Sequence, residues 1–249
     1  MPHSETSGAE PPGAGGKMRT VLLVAAERAE FAGLVRQFGR TRNLGWPIDF
    51  ARQAEARWMR FIMAANGPGP KLAREAVEVA LCGSRPDVVV STGFCGALAP
   101  GLASGGIFVA SSVRSGSAEY GARTPETARP FHAGPLVSVP RVILSAGEKR
   151  ELFAAGADAV DMEAAAVADR AHESGLPFFC VRVVLDAADE GFCLDFEKLR
   201  DAGGRFSRTR ISIAALKKPV GAVPELIRLG RNSRRAARAL GEFLIDCNF

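Results

Sequence analysis

Four short stretches place acids, an arginine and glycines where apolar runs give way to turns. They are Glu27-Arg28-Ala29-Glu30, Thr92-Gly93-Phe94-Cys95-Gly96, Asp161-Met162-Glu163, and the run through Arg182, Asp186 and Asp189. If the apolar runs are strands of an open α/β sheet, these stretches lie at or beside strand ends, where ligands of such sheets collect. Gly93 and Gly96 would let backbone approach a small molecule. Arg182, Val184 and Asp186 share one face of their strand by the two-residue period, and charge inside an apolar strand is costly unless it is partnered. The chemistry on offer is therefore small-molecule binding by carboxylates and a guanidinium. Each residue also has a structural alternative. Glu30 and Glu163 could be first-turn acids that complement a helix dipole. Arg182 and Asp186 could form an ion pair, the glycines a tight turn, and Asp189 a helix cap.

The elements that must position these groups follow from hydrophobic pattern. Residues 19–26 (RTVLLVAA) form a buried-strand run leading into a helix over about 27–38. Residues 46–65 hold one or two strands. The turn Asn66-Gly67-Pro68-Gly69-Pro70 lets Pro70 open a helix over 71–82. Further buried strands are expected at 87–91, 107–113 and 178–185, with a helix over about 162–174. Strands alternating with helices predict an α/β fold with a central, mostly parallel sheet flanked by helices. Residues 115–140 carry scattered turn signals and no assignable element. From Leu194 onward the pattern is helical.

Composition narrows the function classes. The 249 residues are 47% hydrophobic and 24% charged, which excludes disorder and collagen-like or disulfide-scaffold classes. The formal charge of +5 is localised. Residues 201–249 hold ten Lys and Arg against four acids, leaving 22 against 23 in the first 200 residues. A near-neutral body with a basic appendage is not a uniformly basic nucleic-acid binder, so no nucleic-acid partner is expected. Five cysteines without a C-x-x-C pair and three scattered histidines suggest neither disulfides nor a metal site. Cys82, Cys95 and Cys180 read as small core residues. Residues 1–18, rich in Gly, Pro, Ser and Glu, read as a flexible tail without a signal-type apolar stretch. Residues 19–249 read as one cytoplasmic domain with a basic helical region at about 201–249.

Taken together, the blocks resemble a known superfamily. PDVVVSTGFCGALAPGLASGGIFVASSV (86–113), ADAVDMEAAAVA (157–168) and PFFCVRVVLDAADE (177–190) stand in order. They are similar to the motif segments of the purine nucleoside phosphorylase and nucleosidase superfamily, above all of methylthioadenosine/S-adenosylhomocysteine nucleosidases. The resemblance implies the three-layer phosphorylase/hydrolase-like fold and cleavage of a purine N-glycosidic bond, without a cofactor. By motif position, Asp186 matches the acid that protonates or hydrogen-bonds purine N7, and Glu30 the carboxylate that activates water. Glu163 matches the holder of the ribose hydroxyls with Met162 beside the sugar, Gly93 and Phe94 the ribose-facing backbone, and Arg182 the arginine near the nucleophile. A homodimer is implied as well.

Two positions depart from the family pattern. Leu185 stands where a serine usually precedes the acid, and Phe94 replaces a small residue. Ser145-Ala146-Gly147-Glu148 is all that remains of the adenine-stacking segment. The region before the first acid, Ala25-Ala26-Glu27-Arg28, lacks the glycines of a phosphate cradle, and Glu30 would repel phosphate, which favours water as nucleophile. The end of the chain, KKPVGAVPELIRLGRNSRRAARAL, resembles the hopanoid-associated phosphorylase branch, whose substrate is an adenosyl-lipid. Its helix, with Leu226, Leu229, Ala236, Ala237, Leu240, Phe243 and Leu244 at compatible spacings, either packs on the domain with an arginine face in solvent or touches anionic membrane. The packed arrangement is preferred.

Overall fold

The structure, a computed structural model, describes residues 18–191 and 219–249, the side chains of 219–227 and 229 excepted. The tail before Met18, Cys193, the basic residues from Arg205 to Lys218, and the side chains of Leu226 and Leu229 lie outside that set. In chain order the elements are β1 (Arg19–Ala25), α1 (Ala32–Val35), β2 (Arg42–Asn43), β3 (Phe50–Ala56), β4 (Met59–Ala65), α2 (Pro70–Gly83) and β5 (Val88–Ala97). There follow β6 (Ile107–Ser115), β7 (Ala118–Gly121), β8 (His132–Ser138), α3 (Ala146–Ala154), β9 (Ala159–Asp161), α4 (Ala164–Glu173), β10 (Phe178–Asp186) and α5 (Pro219–Asp246).

Period-two alternation in β1 sorts the molecule into three layers. Leu22 and Val24 join the apolar cluster under α2 and α4, while Val21, Leu23 and Ala25 join the cluster under α1 and α5. Both faces of the strand are covered, so it reads as a continuous apolar run. β1 lies parallel between β4 and β5, and β3 and β2 extend the sheet antiparallel beyond β4.

On the other side the sheet closes on itself. β5 pairs with β10, β10 with β6, β6 with β8, β8 with β9, and β9 returns to β5. The central strand β5 therefore belongs to two structures. Its residues Val88–Ser91 pair with β1, and its residues Gly96 and Ala97 pair with β9. Between them it leaves one neighbour before gaining the next, and this split in the sheet opens the cavity described below.

Four local expectations change. The helix after β1 is short, because the Glu30 carboxylate turns back onto the Glu27 N–H (2.8 Å) and holds a turn there instead. The glycines of residues 92–96 do not mark a tight turn: β5 runs through them to Ala97, with Gly93 at φ 131°. Residues 115–140, unassigned by pattern, contribute β7 and β8. Cys82 is exposed rather than part of the core, whereas Cys95, Cys180 and Cys247 are buried.

The C-terminal helix packs on the domain. Ala236, Ala237, Leu240, Phe243 and Leu244 are buried, while Arg231, Arg234, Arg235 and Arg238 face solvent. Burial of Leu240, Phe243 and Leu244 contributes roughly 1.5–3 kcal/mol each relative to exposure. α5 crosses α1 at backbone distance, since a Cβ on Gly33 would sit 1.9 Å from the Ala237 carbonyl oxygen and one on Gly241 would sit 2.2 Å from the Gly33 carbonyl carbon. No described helix is long and apolar enough to cross a membrane.

Candidate active site

The split beside β5 holds a cavity of about 420 Å³. Its walls come from the ends of β1, β5, β9 and β10, from the loop before α3, and from Gly230 and Ser233 of α5. Glu30, Phe94, Asp161, Met162, Glu163, Leu185, Asp186 and Lys149 all reach it. Four sequence blocks spread over some 160 residues thus converge on one space.

Glu30 is 6% exposed and accepts the backbone N–H of Glu27 and of Phe94, each at 2.8 Å. Burial pushes its pKa up to about 7, against the opposing pull of those two hydrogen bonds. Gly93 is what lets the carboxylate sit there. A Cβ at that position would lie 2.5 Å from Glu30 Oε1, and φ 131° disfavours any other residue. Gly93→Ala is accordingly expected to displace Glu30; if Glu30 takes part in a reaction, turnover falls on the order of 10²-fold, the cost of misplacing a reacting group by about 1 Å. Steady-state kinetics with a circular-dichroism control checks this; wild-type turnover in the variant would detach Gly93 from the placement of Glu30.

Glu163 stands at the N-cap position of α4 without capping it. Its Oε1 accepts the Gly69 N–H at 2.6 Å, across from the turn before α2. Burial first, and the nearby Asp161 charge second, raise its pKa to about 8. The actual cap is Asp161, whose Oδ2 accepts the Ala164 N–H at 2.9 Å. Asp161 also takes the Ser138 hydroxyl and an ion pair from Arg182, with Nε at 3.1 Å.

Arg182 therefore does not pair with Asp186, although the two share a strand. Its guanidinium is 1% exposed and is occupied by Asp161 and by Ser91 Oγ at 2.7 Å. A register shift between Val184 and Asp186 also interrupts the two-residue alternation between them. Asp186, 6% exposed, meets Lys149 instead. Burial raises its pKa, and the Lys149 ammonium opposes that rise.

Lys149 and Asp161 are the functional candidates that residue types alone did not single out. Asp161 lay inside a recognised block but carried no assigned role. Lys149 directly follows the short Ser145–Glu148 remnant, and Ser145 indeed caps α3, accepting the Glu148 N–H at 3.2 Å. The loss of a serine at position 185 was the signal that Asp186 needed another partner.

Spacing along β5 gives the site its length. Glu30 abuts Gly93, while Asp186 Oδ2 lies 3.2 Å from where a Cβ on Gly96 would be. Three residues of strand separate these points, roughly 10 Å. Two buried carboxylates, Glu30 and Asp186, thus stand at opposite ends of one cavity.

Known proteins similar to this chain are nucleosidases. The family described as the phosphorylase superfamily matches residues 118–212. A 5′-methylthioadenosine/S-adenosylhomocysteine nucleosidase of Actinobacillus succinogenes is 27% identical over 217 residues, spanning 73% of this chain and 90% of that one. The crystal structure of the corresponding Helicobacter pylori nucleosidase superposes with a TM-score of 0.67 at 15% identity, over 92% of this chain and 97% of that one. The Neisseria meningitidis enzyme, solved with methylthio-immucillin-A, gives 0.66 at 19% identity, over 91% and 98%. Part of the chain thus matches the phosphorylase superfamily model, and its fold is that of these nucleosidase structures.

Proposed function

We propose that the chain hydrolyses the N-glycosidic bond of an adenine nucleoside, of which methylthioadenosine, S-adenosylhomocysteine and an adenosyl-lipid are the candidates. The observation that carries this reading is Glu30: a buried carboxylate with a pKa near 7, held by two backbone N–H groups at the wall of the cavity. A base poised near neutrality is what water activation needs. Nucleosidase relatives support the reaction class.

In this reading the transition state has oxocarbenium character on the ribose. Glu30 takes a proton from the attacking water, Glu163 holds the ribose hydroxyls, and Met162 and Phe94 pack against the sugar. Asp186 meets the imidazole edge of the purine. Arg182 acts as a positioning residue, because it orients Asp161 and through it the start of α4, rather than touching the nucleophile. Hydrolysis is favoured over phosphorolysis on electrostatic grounds. The arginine that could have bound phosphate is committed to Asp161 and Ser91, Arg28 is exposed, and ionised Glu30 repels an anion.

The test is adenine release from the three nucleosides with and without inorganic phosphate. Free adenine and a reducing sugar are expected, at a rate independent of phosphate. A sugar 1-phosphate among the products would overturn the choice of nucleophile.

A further inference from the structure

We propose that Lys149, rather than Asp186 alone, is the group that delivers the proton to the departing purine, so that the Lys149–Asp186 pair recognises adenine as donor and acceptor together. The proposal rests on the nucleosidase reading above. Lys149 lies on α3, is 1% exposed and lines the cavity. Its Nζ donates to Asp186 Oδ2 and to the Ala187 carbonyl at 2.6 Å. A carboxylate engaged by an ammonium is an acceptor only, with no proton of its own to give.

The edge it must meet needs both functions. Adenine presents the N7 acceptor beside the N6 amino donor. In the proposed arrangement Asp186 Oδ1 accepts from N6 and the ammonium beside Oδ2 donates to N7. The groups around the pair hold this arrangement. Glu190 Oε2 accepts the Ala187 N–H at 3.2 Å, and Arg228 of α5 grips Glu190 at 2.6 Å, fixing the turn whose carbonyl positions Lys149. Leu185 contributes no hydroxyl to Asp186, a role the lysine takes over.

The step balances. As the C1′–N9 bond breaks, its electron pair passes into the purine and N7 takes a proton from Lys149, leaving a neutral amine. Water bonds to C1′ and gives a proton to Glu30. Solvent then carries that proton back, so nucleoside and water yield adenine and the free sugar.

Lys149→Met and Lys149→Gln test the assignment on two substrates. Methylthioadenosine requires a proton at its leaving group; 4-nitrophenyl β-D-ribofuranoside departs as a stable phenolate and requires none. In Lys149→Gln, which keeps a hydrogen-bond donor without a transferable proton, kcat on methylthioadenosine should fall on the order of 10²-fold with KM within about threefold. Cleavage of the nitrophenyl riboside should stay within about threefold in both variants. Equal losses on the two substrates would reduce Lys149 to a structural role, and retained turnover of methylthioadenosine would remove it from the mechanism. If the wild-type chain releases adenine from no nucleoside, it is the functional reading that has failed, and this assignment with it.

Discussion

On the proposed role of Glu30 as general base, Glu30→Gln is expected to lower turnover of adenine nucleosides by about 10²–10⁴-fold, the range over which a positioned base accelerates reaction. Both oxygens of Glu30 accept backbone N–H groups, from Glu27 and Phe94. An amide has one acceptor oxygen, so the substitution removes the base and also sets an NH₂ group against a backbone donor. The pH profile identifies the residue. With a pKa near 7, the proposed base works as the carboxylate, so kcat/KM of the wild type is expected to rise as pH climbs through about 7. The residual activity of Glu30→Gln should lose that limb. A limb retained near 7 in the variant would place the base elsewhere in the cavity.

The same burial has a thermodynamic sign. Between pH 4.5 and about 7 native Glu30 holds a proton that the unfolded chain releases. Stability therefore falls as pH rises through that window, by up to about 3 kcal/mol for this group. Urea unfolding across the window reads this directly. The site is kept at a cost to the fold, which is how a buried base remains near neutrality.

How much of this was legible from residues alone depended on whether the signal was local. The β1 run, the Pro70 helix start and the Phe178–Asp186 strand are written in hydrophobic period and turn chemistry, and they formed as expected. Glu30, Glu163 and Asp186 were found through motif position, and the fold brings them to one cavity. What escaped was pairing. Arg182 and Asp186 share a strand face in sequence, but β9 brings Asp161 to the arginine and α3 brings Lys149 to the acid. Strand periodicity gives the direction of a side chain and says nothing about which distant element packs against it. The closure of β5 through β10 to β9 escaped for the same reason, being a long-range property of pairing. The tight turn that was the structural alternative for Gly93 is absent, because a glycine at positive φ inside a strand leaves the same trace in sequence as one that ends it.

The strongest structural expectation concerns the pair that this long-range packing created. Asp161→Ala should destabilise the fold by about 3–5 kcal/mol, because it leaves the Arg182 guanidinium buried without a counter-charge. The loss has further parts. The Ala164 N–H (2.9 Å) and the Ser138 hydroxyl lose their acceptor, and the start of α4 loses its cap. Replacing both charges tests the cause. Asp161→Leu with Arg182→Met substitutes apolar groups for a buried ion pair, and such swaps cost much less than removing one partner. Urea unfolding of the two single variants and the double should therefore give a large favourable coupling energy. A stability for Asp161→Ala within 1 kcal/mol of wild type would show that Arg182 is compensated by other groups. Function separates the fold from the site. In Asp161→Ala, Glu163 loses the negative neighbour that helps raise its pKa, and Arg182 acts on it without compensation. The Glu163 titration therefore moves to lower pH, and any pH-rate limb it contributes moves with it. The double variant removes both charges, so it should recover stability without restoring the wild-type pH profile. That split is the expected signature of a positioning arginine: its charge is needed for the electrostatics of Glu30 and Glu163, while its place in the fold can be filled by a side chain without charge.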